Sequence, residues 1–227
     1  MSVPVAQQAV RYFWEHSRGA EHTDISFYGG EPLTAFRRIT DIVGFIRTLP
    51  EWPNLHIHLD TNGTLITDQV IPFLVDNGIM LQVSLDGPQD IHDRWRLTEE
   101  GRGSFSRIMT NLKRIRDYDE LYYAERIRFA VTLAPPYDLT SVDDFFESNF
   151  PGHQVSPNFI DDKDTSFLTD YAESIPESRL EATYFDLLSK YVSASIAGRE
   201  PTAFQRGFWD PVMIRIHRRM NPEEPPP

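Results

Sequence analysis

Four short stretches of this 227-residue chain place chemistry-bearing side chains beside residues that leave room for a ligand. In Gly29-Gly30-Glu31-Pro32, two residues without side chains precede a carboxylate and a ring that fixes the exit of the chain. Such a turn lets a ligand approach the backbone while carbonyl oxygens and Glu31 face a cationic group such as an amine. Without a ligand it is a tight strand-to-helix turn with proline at the helix start. Thr61-Asn62-Gly63 offers a hydroxyl and an amide to a sugar or a carboxylate, or makes a turn whose unusual dihedrals come from Asn and Gly. Ser84-Leu85-Asp86-Gly87-Pro88, followed by His92, Asp93, Arg94 and Arg96, puts a hydroxyl, carboxylates and guanidinium groups on one loop. Arg96 can clamp a carboxylate through two parallel hydrogen bonds, or the Asp–Arg pairs can stitch the loop to itself. His56 and His58 lie two apart on a strand and share a face, which Asp60 continues. That pair suits a catalytic metal inside a barrel, or is two imidazoles satisfied by neighbours on a half-buried face.

These groups need elements to position them, and the first two thirds of the chain supply a clear alternation. Asp24–Tyr28 is a short run of β-formers stopping at Gly29-Gly30, and from Thr34, a candidate N-cap, the apolar spacing becomes helical through Ile39, Val43, Ile46 and Leu49. Leu55–Leu59 alternates with period two. Thr67 then caps a helix carrying Val70, Ile71 and Leu74, which Asn77-Gly78 ends. Met80–Leu85 is the next strand, and Ser104 caps a helix with Phe105, Ile108, Leu112 and Ile115 on one stripe. Arg126–Leu133 is a fourth strand, followed by a helix around Val142–Phe150 and a strand around Gln154–Phe159. Helices from Ser178 to Ala197 and from Ala203 to Met220 complete the chain, with Tyr184, Leu187, Leu188 and Tyr191 facing a core. Strand–helix–strand units of this length give a parallel sheet covered by helices. About five strands are too few for a complete eight-stranded barrel, so the expected fold is α/β, a partial (β/α) barrel spanning 1–220 with a Pro-rich tail at 221–227. Ligands of such folds sit at the carboxyl ends of the strands, where Gly-Gly-Glu-Pro, Thr-Asn-Gly and Ser-Leu-Asp-Gly-Pro all fall.

Composition narrows the chemistry. Lys and Arg total 22 against 34 Asp and Glu, a formal charge of −12, which repels nucleic-acid backbones and anionic membrane surfaces. The chain contains no cysteine, so it forms no disulfide and supplies no thiolate to zinc, to a nucleophilic mechanism or to an iron–sulfur cluster. No stretch approaches the ~20 apolar residues of a membrane helix, and no secretory signal is visible, which makes the cytoplasm the expected compartment. A serine-hydrolase reading of Ser84 lacks the Gly-x-Ser-x-Gly elbow. Dinucleotide and Walker phosphate loops are also missing, Gly101-Arg102-Gly103 standing in the wrong context.

The order Phe27-Tyr-Gly-Gly-Glu-Pro-Leu33, Thr61-Asn-Gly-Thr-Leu65, Val83-Ser-Leu-Asp-Gly-Pro88 with Ile91-His-Asp93 and Arg96, then Gly103-Ser-Phe105, resembles the radical S-adenosylmethionine (SAM) enzymes. Within them it is most similar to the peptide- and protein-modifying branch with a SPASM or twitch extension, which includes sulfatase maturases; Val131–Leu139 resembles the peptide-maturing members too. The similarity is strongest from Ile25 to Phe105 and extends to about Phe159. The resemblance implies a reductive cleavage of SAM to a 5′-deoxyadenosyl radical at a [4Fe-4S] cluster, and hydrogen abstraction from a peptide or protein substrate. It also implies that Gly29, Gly30, Glu31 and Pro32 receive the SAM amino group, that Ser84 contacts SAM and that Arg96 holds its carboxylate. Thr61, Asn62 and Asp86 would belong to the same cofactor site.

One departure from the family is large. Its Cys-x3-Cys-x2-Cys loop stands just before the helix matched here by Val5–His16, and this sequence has neither that loop nor any cysteine. The expectation is therefore a middle slice of the fold, without its first strand and without the auxiliary cysteine-rich regions expected after about Pro222, and incapable of SAM cleavage by itself. A cluster-free binding or scaffolding module is the alternative, with self- or partner-association at the strand edge left open by the missing first strand. A His56/His58 metal hydrolase is a third.

Overall fold

A computed structural model describes residues 1–17, 19–50, 52, 54–160 and 177–220; the Pro-rich tail at 221–227 lies outside the described residues. In chain order it contains α1 (Val3–Ser17), β1 (Thr23–Phe27), a 3-10 turn (Pro32–Ala35), α2 (Phe36–Thr48) and β2 (Leu55–Thr61). Next come α3 (Val70–Asp76), β3 (Met80–Ser84), α4 (Gln89–Trp95), α5 (Phe105–Tyr118) and α6 (Glu120–Arg126). The chain closes with β4 (Ile127–Leu133), α7 (Leu139–Asn149), β5 (Gln154–Phe159), α8 (Glu177–Ile196) and α9 (Ala203–Met220). The strands follow the sequential order β1-β2-β3-β4-β5, the simplest outcome of repeated right-handed crossovers, and the α/β class with five parallel strands and helical cover is as expected.

The described residues fall into two compact units that alternate along the sequence, those of 1–84 with 106–127 and those of 85–105 with 128–220. In the first, β1, β2 and β3 pair in parallel, Asp24 opposite His56, Ser26 opposite His58 and Asp60 opposite Gln82. Period-two alternation sends Ile57 and Leu59 of β2, with Leu81 and Val83 of β3, into the core. There they join Ile39, Val43 and Ile46 of α2 and Ile108, Leu112 and Ile115 of α5, all buried. The other face carries Asp24, Ser26, His56, His58, Asp60 and Gln82, none of them buried. A parallel sheet covered on both faces has near-continuous apolar strands; here the second face is polar apart from the buried Met80.

In the second unit β4 and β5 are parallel neighbours. Phe129 of β4 packs against Phe146 and Phe150 at the end of α7, the Phe129–Phe150 ring centroids lying 4.4 Å apart. Phe204 of α9 continues that aromatic core over Phe146. Trp209 is buried against Tyr184. On α8 only Leu187 of the expected core positions is buried; Tyr184, Leu188 and Tyr191 are partly exposed. At Gly207 a side-chain carbon would stand 2.1 Å from the Val155 carbonyl oxygen, so only glycine permits this approach of α9 to β5.

Three expected helix caps are corrected. Thr34 lies inside the 3-10 turn, which Glu31 caps, and α2 starts at Phe36 without a side-chain cap. Thr67 serves the α3 start through its backbone carbonyl, accepting from Val70 and Ile71 N–H. At α5 the Asp93 carboxylate, not Ser104, accepts the Phe105 N–H, at 2.9 Å. No helix among the described residues is long and apolar enough to cross a membrane.

Candidate functional site

The first unit gathers Gly29–Pro32, Thr61, Asn62 and Ser84 at strand ends. After β1 the chain turns through Gly29, whose φ of +154° favours glycine. A side-chain carbon on Gly29 or Gly30 would meet nothing within 4 Å, so neither glycine is required by packing and the space beside both is open. Glu31 follows, and its carboxylate fastens the loop after β1 to the loop after β2. Oε1 accepts from Leu33 N–H at 3.1 Å and from the Thr61 hydroxyl at 2.8 Å; Oε2 accepts from Asn62 N–H at 2.7 Å. A carboxylate has about four acceptor positions, so three are committed to the protein itself. Glu31 is a strut, and an incoming amine is left mainly to backbone oxygens.

Thr61 is buried, and its oxygen also accepts from Gly63 N–H at 3.0 Å. Asn62 closes an Asx turn, Oδ1 accepting from Thr64 N–H at 2.9 Å and from the Thr64 hydroxyl at 2.7 Å. Gly63 supplies the left-handed residue at φ +75°, whereas Asn62 does not. From α5, Asn111 Nδ2 donates to Gly63 O at 2.8 Å and locks the turn. Ser84 ends β3, half-buried.

The expected His56/His58/Asp60 face exists, but the imidazoles are not arranged as ligands. His58 Nε2 is 2.8 Å from Asp24 Oδ1, and no group of three His, Cys, Asp or Glu among the described residues is placed to hold a metal. Burial raises the Asp60 carboxyl above its ordinary range, His58 acting the opposite way.

Asp86 and Arg96 belong to the second unit. Arg96 Nε donates to Asp86 Oδ2, and Arg96 Nη2 to Asp86 Oδ1 at 3.0 Å and to the Thr132 hydroxyl at 3.1 Å. Thr132 N–H donates to Asp86 Oδ1 at 2.7 Å. Asp86 is only 4% exposed, and a buried carboxylate is tolerable because guanidinium and amide donors meet it. The loop is therefore stitched by its own Asp–Arg pair, and among the described residues Nη1 of Arg96 has no partner.

Behind the pair stands His92, completely buried. Its Nδ1 accepts from Asp86 N–H at 3.2 Å, and Nε2 faces the Ser104 oxygen at 2.9 Å. The Ser104 hydroxyl donates to Arg96 O at 3.0 Å, so Nε2 carries the proton and the ring is neutral. Burial pulls the His92 pKa down to about 4, with Arg96 lowering it further and Asp86 and Asp93 opposing. Sequence reasoning missed His92, Ser104 and Thr132 as supports of Arg96. The one available signal was the Ser-Leu-Asp-Gly-Pro…His-Asp…Arg order, which does not say which side chain faces which.

Comparison with known proteins places this geometry. Residues 3–120 match the radical SAM superfamily, and the chain belongs to it. It is 33% identical over 104 residues to a cysteine-type anaerobic sulfatase-maturating enzyme of Clostridium novyi, a match covering 45% of this chain and 28% of that enzyme. It is 37% identical over 60 residues to a serine-type anaerobic sulfatase-maturating enzyme of Bacteroides thetaiotaomicron, covering 26% of this chain and 14% of that one. Native anSMEcpe with bound AdoMet and Cp18Cys peptide shares the fold at a TM-score of 0.60 and 23% identity, over 69% of this chain and 43% of that one. Native anSMEcpe with bound AdoMet matches at 0.60 and 22% identity, over 88% and 58%. The match spans little more than a quarter of the Clostridium novyi relative.

The superfamily uses SAM and a [4Fe-4S] cluster. In the first unit the open space beside Gly29-Gly30 leaves room for an amine at backbone oxygens. The cluster does not fit these residues, since the chain has no cysteine.

Proposed function

We propose that this chain is a SAM-binding core of the sulfatase-maturase type, related to enzymes that act on peptides, and that it is not catalytically competent alone. The open ground beside Gly29-Gly30, held in place by the Glu31 strut, carries the proposal. Backbone oxygens of Gly29–Glu31 would hold the amino group, with Pro32 fixing the exit of the turn. Arg96 Nη1 would take the carboxylate, and Asp86 would orient the guanidinium. Ser84 would contact the cofactor, with Thr61 and Asn62 shaping the turn beside it. SAM supplies hydrogen-abstracting power only with an electron from a cluster, and these 227 residues offer no thiolate to hold one. Binding and orientation are the work left to this chain.

Calorimetry with SAM on the purified protein tests the proposal. Saturable heat is expected, with Arg96→Gln weakening binding roughly tenfold or more, the usual loss for a charge-assisted bond. No heat at high protein concentration, or an unchanged affinity in Arg96→Gln, would refute it. The second reading is strand addition by a partner or a second copy, favoured by β1 lying at the end of the strand order with, among the described residues, only β2 beside it. Light scattering that shows a monomer, together with strong hydrogen-exchange protection over Asp24–Tyr28, would remove it.

A further inference from the structure

At the amino end of β2, the opposite end of the strand from Thr61, the first unit contains a cavity of about 530 Å³. His56, which lines this cavity, lies five residue steps along the strand from Thr61, a span of roughly 16 Å. The cavity is thus distinct from the turn proposed to meet SAM, and its chemistry is independent of that reading. Its polar lining includes Arg47 from the end of α2, Trp52, His56, Asn77 and Arg126 from the end of α6, beside an apolar wall that includes Leu49 and Pro50. Among the described residues no carboxylate lines it, in a chain whose formal charge is −12.

The donors are held but not consumed. Arg47 Nη2 donates to Asn77 O at 2.9 Å, which fixes the guanidinium and leaves its other nitrogens. Neither Arg47 nor Arg126 pairs with a carboxylate among the described residues. Trp52 also lines the hollow, its indole N–H closed off from solvent and without a hydrogen-bond partner among the described residues. Two guanidinium groups and an imidazole line one hollow, and groups of this kind suit an oxyanion. The apolar wall and the volume leave room for an organic body behind it.

We infer that this cavity binds a small organic oxyanion, a phosphate or carboxylate group carried on an apolar body. The chemistry is shared by phosphate monoesters and by carboxylic acids, and the test separates them. Phenyl phosphate, inorganic phosphate and benzoate are titrated into the whole chain, following the Trp52 indole N–H resonance by NMR, assigned with Trp52→Phe, and the heat by calorimetry. A saturable shift of that resonance is expected with phenyl phosphate or with benzoate, the tighter of the two naming the group. Weaker binding of inorganic phosphate would show that the apolar wall contributes. Arg47→Gln and Arg126→Gln should each weaken binding roughly tenfold, and saturating SAM should leave it unchanged. The three remaining indole resonances report whether a variant is folded; should Arg126→Gln unfold, Arg47→Gln, altered at an exposed side chain, decides alone. No saturable shift with any of the three probes up to about 10 mM, or equal affinity in Arg47→Gln, overturns the inference.

Discussion

His92 should make this protein measurably acid-sensitive, by an amount that its surroundings set. The unfolded imidazole takes up a proton near pH 6.5, whereas burial holds the folded one neutral down to about 4. Between those values the unfolded state binds a proton that the folded state refuses, so stability falls as pH falls through the window and is complete above it. With 1.36 kcal/mol per pKa unit, acidification from pH 7 to pH 5 removes about 2 kcal/mol through this side chain alone. The cause is geometric. Nδ1 already accepts the Asp86 N–H, so a second ring proton would point at a donor, and the ring has no solvent to turn to. Other groups also titrate, so the comparison is with His92→Asn, whose Oδ1 can still accept from Asp86 N–H but carries no charge. That variant should be less stable at pH 7, because the Ser104 oxygen loses its donor. Urea unfolding of both proteins at pH 7 and pH 5 should then show the parent losing about 2 kcal/mol more than His92→Asn. Equal losses would mean that His92 does not titrate in this window, and the buried neutral ring would be wrong.

The strut and its neighbours give further outcomes. Thr61→Val removes the hydroxyl that donates to Glu31 and accepts from Gly63 N–H; about 1–3 kcal/mol should disappear from the urea-unfolding free energy. Glu31→Gln turns one of the oxygens accepting from Leu33, Thr61 and Asn62 into a donor, so a similar loss is expected without any ligand present; an unchanged thermal midpoint would deny that Glu31 is a strut. Gly103→Ala puts a carbon 2.0 Å from the Asp93 carboxyl carbon and must displace the group that caps α5. The cost should be about 1–3 kcal/mol, and hydrogen exchange at the start of α5 should rise with it.

The strands and the loops after them were legible because parallel-sheet periodicity and glycine punctuation are local signals. β2, β4 and β5 lie within two residues of their expected bounds. Two helices were not legible. α4, Gln89–Trp95, has no apolar stripe, and its buried residue is a histidine; α6 follows α5 after the single residue Asp119 and reads as its continuation. The caps failed for a related reason. Ser, Thr, Asp and Glu compete for the same role by type, and tertiary placement chose Glu31 and Asp93 over Thr34 and Ser104. At the site the sequence showed which residues carry chemistry but not which partner each one meets. Thr61 lies thirty residues from Glu31, and Thr132 thirty-six from Arg96, and no local pattern reveals such pairs.

Those internal partners decide how the site can be read by mutation. Glu31 and Asp86 are charged groups whose hydrogen-bonding capacity is largely consumed inside the protein. Each group is satisfied without a ligand, so its surroundings can form in a chain that carries no thiolate for an iron–sulfur cluster. Losing SAM binding in Glu31→Gln would accordingly say little about contact with the cofactor, because the same change releases two loops from one another. Arg96→Gln is cleaner in one respect only: it removes the Nη1 arm that Asp86 and Thr132 leave unused, but also the arms they hold. Thr132→Val supplies the missing control, since it removes the hydroxyl accepting from Arg96 Nη2 and leaves Nη1 in place. If Arg96 meets the cofactor through Nη1, Thr132→Val should keep most of the SAM affinity that Arg96→Gln loses; equal losses in both would place Arg96 among the supports of the loop and not at the ligand.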